Sequence, residues 1–181
     1  GTHRPRRLSH RAAGGGAMAQ AAAAAADADL GASAANVFRH MKELSPLVQC
    51  ISNKVTVHMN AEALLCAGAA PAMVHATEES PEFAAIANVL CVNVGTLDPP
   101  QVECMRVAAQ SMHQLNKPWV IDPVACGATT FRTNTCKSLV ADFKPTAIRG
   151  NASEIMALGG LELAQSRGVE TTNSVSEAQA S

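Results

Sequence analysis

The chain has 181 residues, 48% of them hydrophobic, and a formal net charge of −1 at pH 7, values that describe one ordinary globular domain. With four Phe, one Trp and no Tyr it lacks the aromatic platforms on which single-strand binders stack bases, and its charge suggests no nucleic-acid partner. Apart from a weakly hydrophobic Ala tract, no run approaches the roughly 18 apolar residues of a membrane span, so no membrane partner is expected.

Cys50, Cys66, Cys91, Cys104, Cys126 and Cys136 are scattered without CxxC or CxxH spacing. That argues against a zinc site or a disulfide framework and for buried thiols in a reducing compartment, here the cytoplasm. Residues 1–26 hold Arg4, Arg6, Arg7 and Arg11, no acidic residue, three consecutive glycines and an Ala tract. Such a segment has little to bury, so residues 1–35 read as disordered, as translated leader ahead of Met18, or as an organelle-targeting segment.

Residues 36–43 can form a short helix before Ser45-Pro46, and 47–51 reads as a strand. Val57, Ala61, Leu64 and Leu65 fall at helical spacing with Gly68 placed to end the helix, and 71–74 is a second strand. Ser80-Pro81 is a good N-cap and first-turn pair, and 89–94 suits a buried parallel strand. Asp98 before Pro99 caps a helix carrying Val102, Met105, Ala109 and Met112, followed by a strand at 118–122. Thr133 is placed to cap the next helix, 145–149 is a strand, and 151–158 is a helix ended by Gly159-Gly160. Strands alternating with helices predict βαβ units around a mainly parallel sheet. The partial domain spans 36–163, and 164–181 reads as a polar tail.

Ligands of such sheets sit at the carboxyl ends of strands, which here carry Asn53, Met73 with His75, Asn93 to Thr96, Asp122 and Arg149 to Asn151. A strand-end carboxylate beside a Gly-containing loop suits hydrated magnesium, and an Arg in the same cleft can pair with phosphate. Asp122, Glu154 and Arg149 fit those roles. Each also has a structural explanation: Asn151 and Glu154 have capping-box spacing, Asp122 before Pro123 can end its strand at a turn, and Arg149 can be a solvated strand-end residue. Met73 is as readily core packing, His75 a solvated loop residue and Cys126 a structural thiol.

Five motifs in collinear order then carry a resemblance: Cys50-Ile-Ser-Asn53, Pro71-Ala-Met73-Val-His-Ala, Asn93-Val-Gly-Thr-Leu97, Asp122-Pro-Val-Ala-Cys-Gly-Ala-Thr-Thr-Phe-Arg132 and Ile148-Arg-Gly-Asn-Ala-Ser-Glu154. From about Ser45 to Gly160 the chain resembles the hydroxyethylthiazole kinases of thiamine salvage. The resemblance implies a ribokinase-like layered α/β fold, its mainly parallel sheet flanked by helices and incomplete at the C-terminus. It also implies transfer of the ATP γ-phosphate to the hydroxyl of 4-methyl-5-(2-hydroxyethyl)thiazole, and a homotrimer. Met73, Asn53 and Gly95 would then touch the thiazole, Arg149 would contact ATP, and Asp122 and Glu154 would arrange Mg2+. Ala125 and Cys126 stand where the family usually has Gly and Ala, so one backbone position lacks glycine's freedom. The family's late Gly-rich catalytic loop has no counterpart between Gly160 and Ser181. This implies no catalytic residue in the chain and little or no activity for it alone, with a non-catalytic thiazole-binding or subunit-interacting fragment as the alternative.

Overall fold

Short apolar runs, each too short for a helix, become strands, and the Val-, Ile- and Leu-rich ones at the centre of the sheet are buried between layers. The computed structural model describes residues 15–160, with side chains from Asp29 onward. The strands are β1 (Leu47–Ile51), β2 (Ala70–Met73), β3 (Val89–Asn93), β4 (Trp119–Asp122) and β5 (Ala147–Ile148). All pair in parallel, in the order β2-β1-β3-β4-β5. The order reverses between β1 and β3, the switch point where open α/β sheets leave a crevice at their carboxyl ends.

Alternation along each strand sorts the sheet into two faces. Ile51, Leu90, Val92, Trp119 and Ile121 enter the main core with Met105 and Met112 of α4 (Pro99–Gln114) and Leu139 of α5 (Thr130–Phe143). Ala84 of α3 (Ser80–Ile86) and Ala157 of α6 (Ala152–Leu158) complete that layer. A smaller cluster of Val48, Cys50 and Ala69 packs with Leu64 of α2 (Val57–Ala67), Met73, Val89 and Cys91. The chain divides into units 1–40 and 41–181, and the sheet lies in the second.

Several local readings change. Helix α1 runs Gly15–Leu44, so residues 15–35 are helical where composition suggested disorder; Ala has the highest helix propensity, and the Ala tract satisfies its backbone locally. The reading of residues 1–14, with their four Arg, and of the 164–181 tail falls outside the described residues. Ser80 is not an N-cap: it is fully buried, and its hydroxyl accepts from Gln49 Nε2 at 3.0 Å. Thr129, rather than Thr133, caps α5, accepting from the Arg132 amide at 3.3 Å. Thr133 instead accepts from the Gly127 amide at 2.9 Å and donates to the Thr129 carbonyl at 2.8 Å. Asp98 caps α4 as expected, and Gly68 ends α2 at φ 96°.

Two polar side chains hold the layers in place. Trp119 Nε1 donates to the Phe143 carbonyl at 3.0 Å, tying the end of α5 to the start of β4. Lys117 Nζ donates to the carbonyls of Ala84, Ala85 and Ala87 at 3.0, 2.6 and 2.8 Å, answering the orphan acceptors at the end of α3. Lys117→Met removes all three donors while keeping the stem. We expect a loss of about 1–2 kcal/mol in urea unfolding followed by the fluorescence of Trp119, the chain's single Trp; an unchanged midpoint would show that water serves these carbonyls equally well.

Candidate active site

One polar side chain from each of four strand ends forms a continuous chain across the switch point. Asn53, just beyond β1, donates through Nδ2 to Asn93 Oδ1 at 2.8 Å. Asn93, the last residue of β3, donates through Nδ2 to Asp122 Oδ2 at 3.1 Å. Arg149, just beyond β5, reaches the same Asp122 oxygen at 3.2 Å. The register Asn93↔Asp122 sets the central link.

The members of this chain are also held by backbone. Asn53 Oδ1 accepts from the amides of Val55 and Thr56 at 3.0 and 2.9 Å, fixing the turn into α2, and Asn93 Oδ1 accepts from the Gly95 amide at 2.9 Å. A Cβ on Gly95 would lie 2.8–2.9 Å from Asn53 side-chain atoms, closer than real Cβ contacts come. Gly95 is therefore required by the position of Asn53. Above them, the Lys54 amide donates to Thr96 Oγ1 at 2.9 Å and its Nζ pairs with Asp98 at 2.7 Å, an exposed bridge of small energetic weight.

Asp122 is largely shielded, with 21% of its side chain exposed, whereas Arg149 is 82% exposed and free to turn toward an anion. Burial raises the Asp122 carboxyl above the ordinary 3.8; the Arg149 charge opposes that rise and the Glu154 charge adds to it. Glu154 is buried, 6% exposed, and both its oxygens are engaged. Oε1 accepts from the Ala125 amide at 2.8 Å and Oε2 from the Asn151 amide at 2.8 Å. Asn151 Oδ1 accepts in turn from the Glu154 amide at 3.0 Å. The capping-box explanation thus holds, and the same carboxylate also secures the loop after β4.

That loop keeps its shape without glycine at Ala125, which sits at φ 55°, a left-handed conformation costing an alanine about 1–2 kcal/mol. The Glu154 bond holds it there. Cys126 is buried in the main core; its thiol is lowered chiefly by hydrogen bonding with Cys136, whose own thiol is raised. Both are packing residues by position. His75 is exposed on the loop after β2.

Two cavities meet at Asp122. A cleft of about 250 Å³ is walled by Cys50, Ala63, Leu64 and Cys91, with Asn93 and Asp122 at its polar end. A second, of about 380 Å³, is lined by Asp122, Val124, Arg149, Gly150, Asn151 and Glu154. Met73 ends β2 in register with Cys50 and packs beside that wall in the smaller cluster, at one remove from Asn53 and Gly95. A larger cleft of about 510 Å³ near Lys137 and Gly160 includes none of the six candidate residues.

Arg132 closes the motif that begins at Asp122. Its guanidinium donates to the carbonyls of Val94, Gly95 and Val124, the last two at 3.1 Å, and so pins the ends of β3 and β4 together. The signal was available: no carboxylate lies within four residues of Arg132 on its helix, so its charge had to be answered from elsewhere. Asn93, which its position in the sequence marks only as a strand-end residue, is the central link.

The two carboxylates bordering one cavity fit a magnesium ion held mainly through water, since both Glu154 oxygens already accept a backbone amide and magnesium keeps several waters. Because the Asp122 carboxyl is raised in the folded chain, its ionisation costs stability. That cost is absent well below pH 3.8, where folded and unfolded chains are both protonated, and complete above the folded-state value. Asp122→Asn should therefore gain stability relative to the parent as pH rises from 3 to 7, read by urea unfolding at each pH; a difference independent of pH would refute the raised carboxyl.

The family model described as the hydroxyethylthiazole kinase family matches residues 38–181. A hydroxyethylthiazole kinase of Rhizobium johnstonii is 50% identical over 145 residues, 80% of this chain and 54% of the relative. One of Pectobacterium atrosepticum is 49% identical over 142 residues, 78% of this chain and 53% of the relative. A solved structure, hydroxyethylthiazole kinase protein from Pyrococcus horikoshii, aligns with a TM-score of 0.67 at 38% identity, covering 69% of this chain and 49% of that one. The chain spans about half the length of the curated relatives it matches. With its parallel α/β sheet of ribokinase-like type, it belongs to the hydroxyethylthiazole kinase family.

Proposed function

We propose that this chain supplies the substrate cleft and the phosphate-facing side of a site that transfers the ATP γ-phosphate to the alcohol of 4-methyl-5-(2-hydroxyethyl)thiazole. The observation that carries the reading is the shared carboxylate: Asp122 closes the polar end of the apolar cleft and also borders the cavity of Arg149 and Glu154. A small heterocycle in the first would direct its hydroxyl toward a triphosphate in the second, which is the positioning that phosphoryl transfer requires.

In this reading Asn53 and Gly95 act at the thiazole through Asn93 at the cleft's polar end, to which both are hydrogen-bonded, and Met73 contributes from beside its apolar wall. Arg149, exposed beside Asp122, turns to the phosphates as a charge-assisted donor. Asp122 and Glu154 orient a hydrated magnesium ion, which when bound neutralises phosphate charge. Arg132 acts as a positioning residue by fixing the carbonyls on either side of the seam. The alcohol oxygen forms the new bond to the γ-phosphorus as the bond to the ADP oxygen breaks, and the hydroxyl proton leaves; we assign no general base among the described residues.

The family resemblance further supports a homotrimer, and α2 offers a surface for it. Among the described residues Val55, Met59 and Leu65 are exposed at 80, 71 and 57%, and α2 has no buried residue of its own. A reducing, cytoplasmic setting fits the six free thiols.

Calorimetric titration of the chain with the thiazole alcohol and with magnesium–ATP tests the reading. Arg149→Ala should weaken ATP binding about tenfold or more and leave the thiazole unaffected; equal weakening of both, or no binding of either, counts against it. Sedimentation velocity checks the assembly: a trimer that dissociates on Leu65→Glu is expected, and a monomer at micromolar concentration would remove the trimer from the proposal.

A further inference from the structure

The parallel register brings three sulfur side chains into one row. Met73 on β2 is the partner of Cys50 on β1, and Cys50 is in turn the partner of Cys91 on β3. In-register residues of parallel strands project from the same face about 4.8 Å apart, so a thioether and two thiols stand side by side on the cleft face of the sheet. All three belong to the smaller apolar cluster, and Cys50 and Cys91 form part of the cleft wall. Both cysteines are free.

We propose that this row is a binding site for a soft monovalent cation, of which cuprous ion is the type, held between Cys50 and Cys91 with the Met73 thioether flanking. Thiolate and thioether donors select copper(I), a soft ion that two or three sulfur ligands suffice to hold. The row is poorly suited to zinc, which seeks four ligands; among the described residues no group of three or more His, Cys, Asp or Glu is placed to hold a metal. Burial keeps Cys50 protonated, pushed up to about 12, and raises Cys91 with help from the Asp122 charge. Binding therefore displaces a proton from each ligating thiol, with no change of oxidation state.

The test is anaerobic titration of the full 181-residue chain with copper(I) against a chromogenic chelator. One tightly held copper per chain is expected, accompanied by a thiolate-to-copper absorption band. Cys50→Ala and Cys91→Ala should each lower the affinity more than about 100-fold, since each removes one of two principal ligands. Met73→Leu should have a smaller effect, and Cys66→Ser none. Trp119 emission confirms folding of each variant. Should the core variants unfold, the parent answers alone: copper should slow peptide-mapped alkylation of Cys91 while leaving the exposed Cys66 unchanged. Full copper retention in both alanine variants, or protection at Cys126 and Cys136 instead, would overturn the proposal.

Discussion

The site depends on the hydrogen-bonded contact between Asn93 and Asp122 at the ends of β3 and β4. Each has a second obligation: Asn93 receives the amide of Asn53, and Asp122 receives Arg149. A register slip of one residue between β3 and β4 would exchange the faces of every side chain on the slipped strand. If β3 slipped, Leu90 and Val92 would come to the cleft and Asn93 would turn into the core, away from Asp122. The apolar packing of Leu90, Val92, Trp119 and Ile121 therefore sets the position of the chemistry without touching it.

The two sheet faces divide the work. One is sealed by α4 and α5 around fully buried Met105 and Met112 and tolerates few polar atoms. Where polar groups do enter, they are mostly answered: Ser80 meets Gln49, and Gln101 Nε2 donates to the Ser52 carbonyl at 2.9 Å. The Oε1 atoms of both glutamines remain unpaired, each a local cost in that dry layer. The other face is only partly covered, so an amide, a carboxylate and thiols can line a cleft there while keeping some access to water.

Much of this was legible because it is local. The Asp98 cap, the Gly68 stop and the Asn151–Glu154 box are written within a few residues of one another, and short Val- and Ile-rich runs between helical periods describe parallel strands. The errors share the opposite cause. Ser80 looked like a cap because its true partner, Gln49, lies 31 residues away. Arg132 had no visible task because its acceptors at Val94 and Gly95 lie 38 and 37 residues away. The row of Met73, Cys50 and Cys91 leaves no spacing pattern at all, since strand order and chain order differ. For α1, composition was weighed for what it could bury, whereas an Ala tract needs only its own backbone to form a helix. Asn53 and Glu154 carry both a structural and a candidate functional assignment, and their contacts explain why residue type alone could not separate the two.

The sheet order also dictates a timetable. β1 lies between β2 and β3, so the strand leading to Asn53 has one edge open until β3 has been made, and Asn53 and Asn93 are separated by 40 residues. At ordinary elongation rates of about 5–20 residues per second that interval lasts about 2–8 s. Throughout it β1 presents an apolar, unpaired edge with a thiol at Cys50. The wall of the cleft is thus exposed on the ribosome before the residues that give it a polar end exist, and until then the nascent chain is open to mispairing at the strand that carries one end of the site's hydrogen-bonded chain.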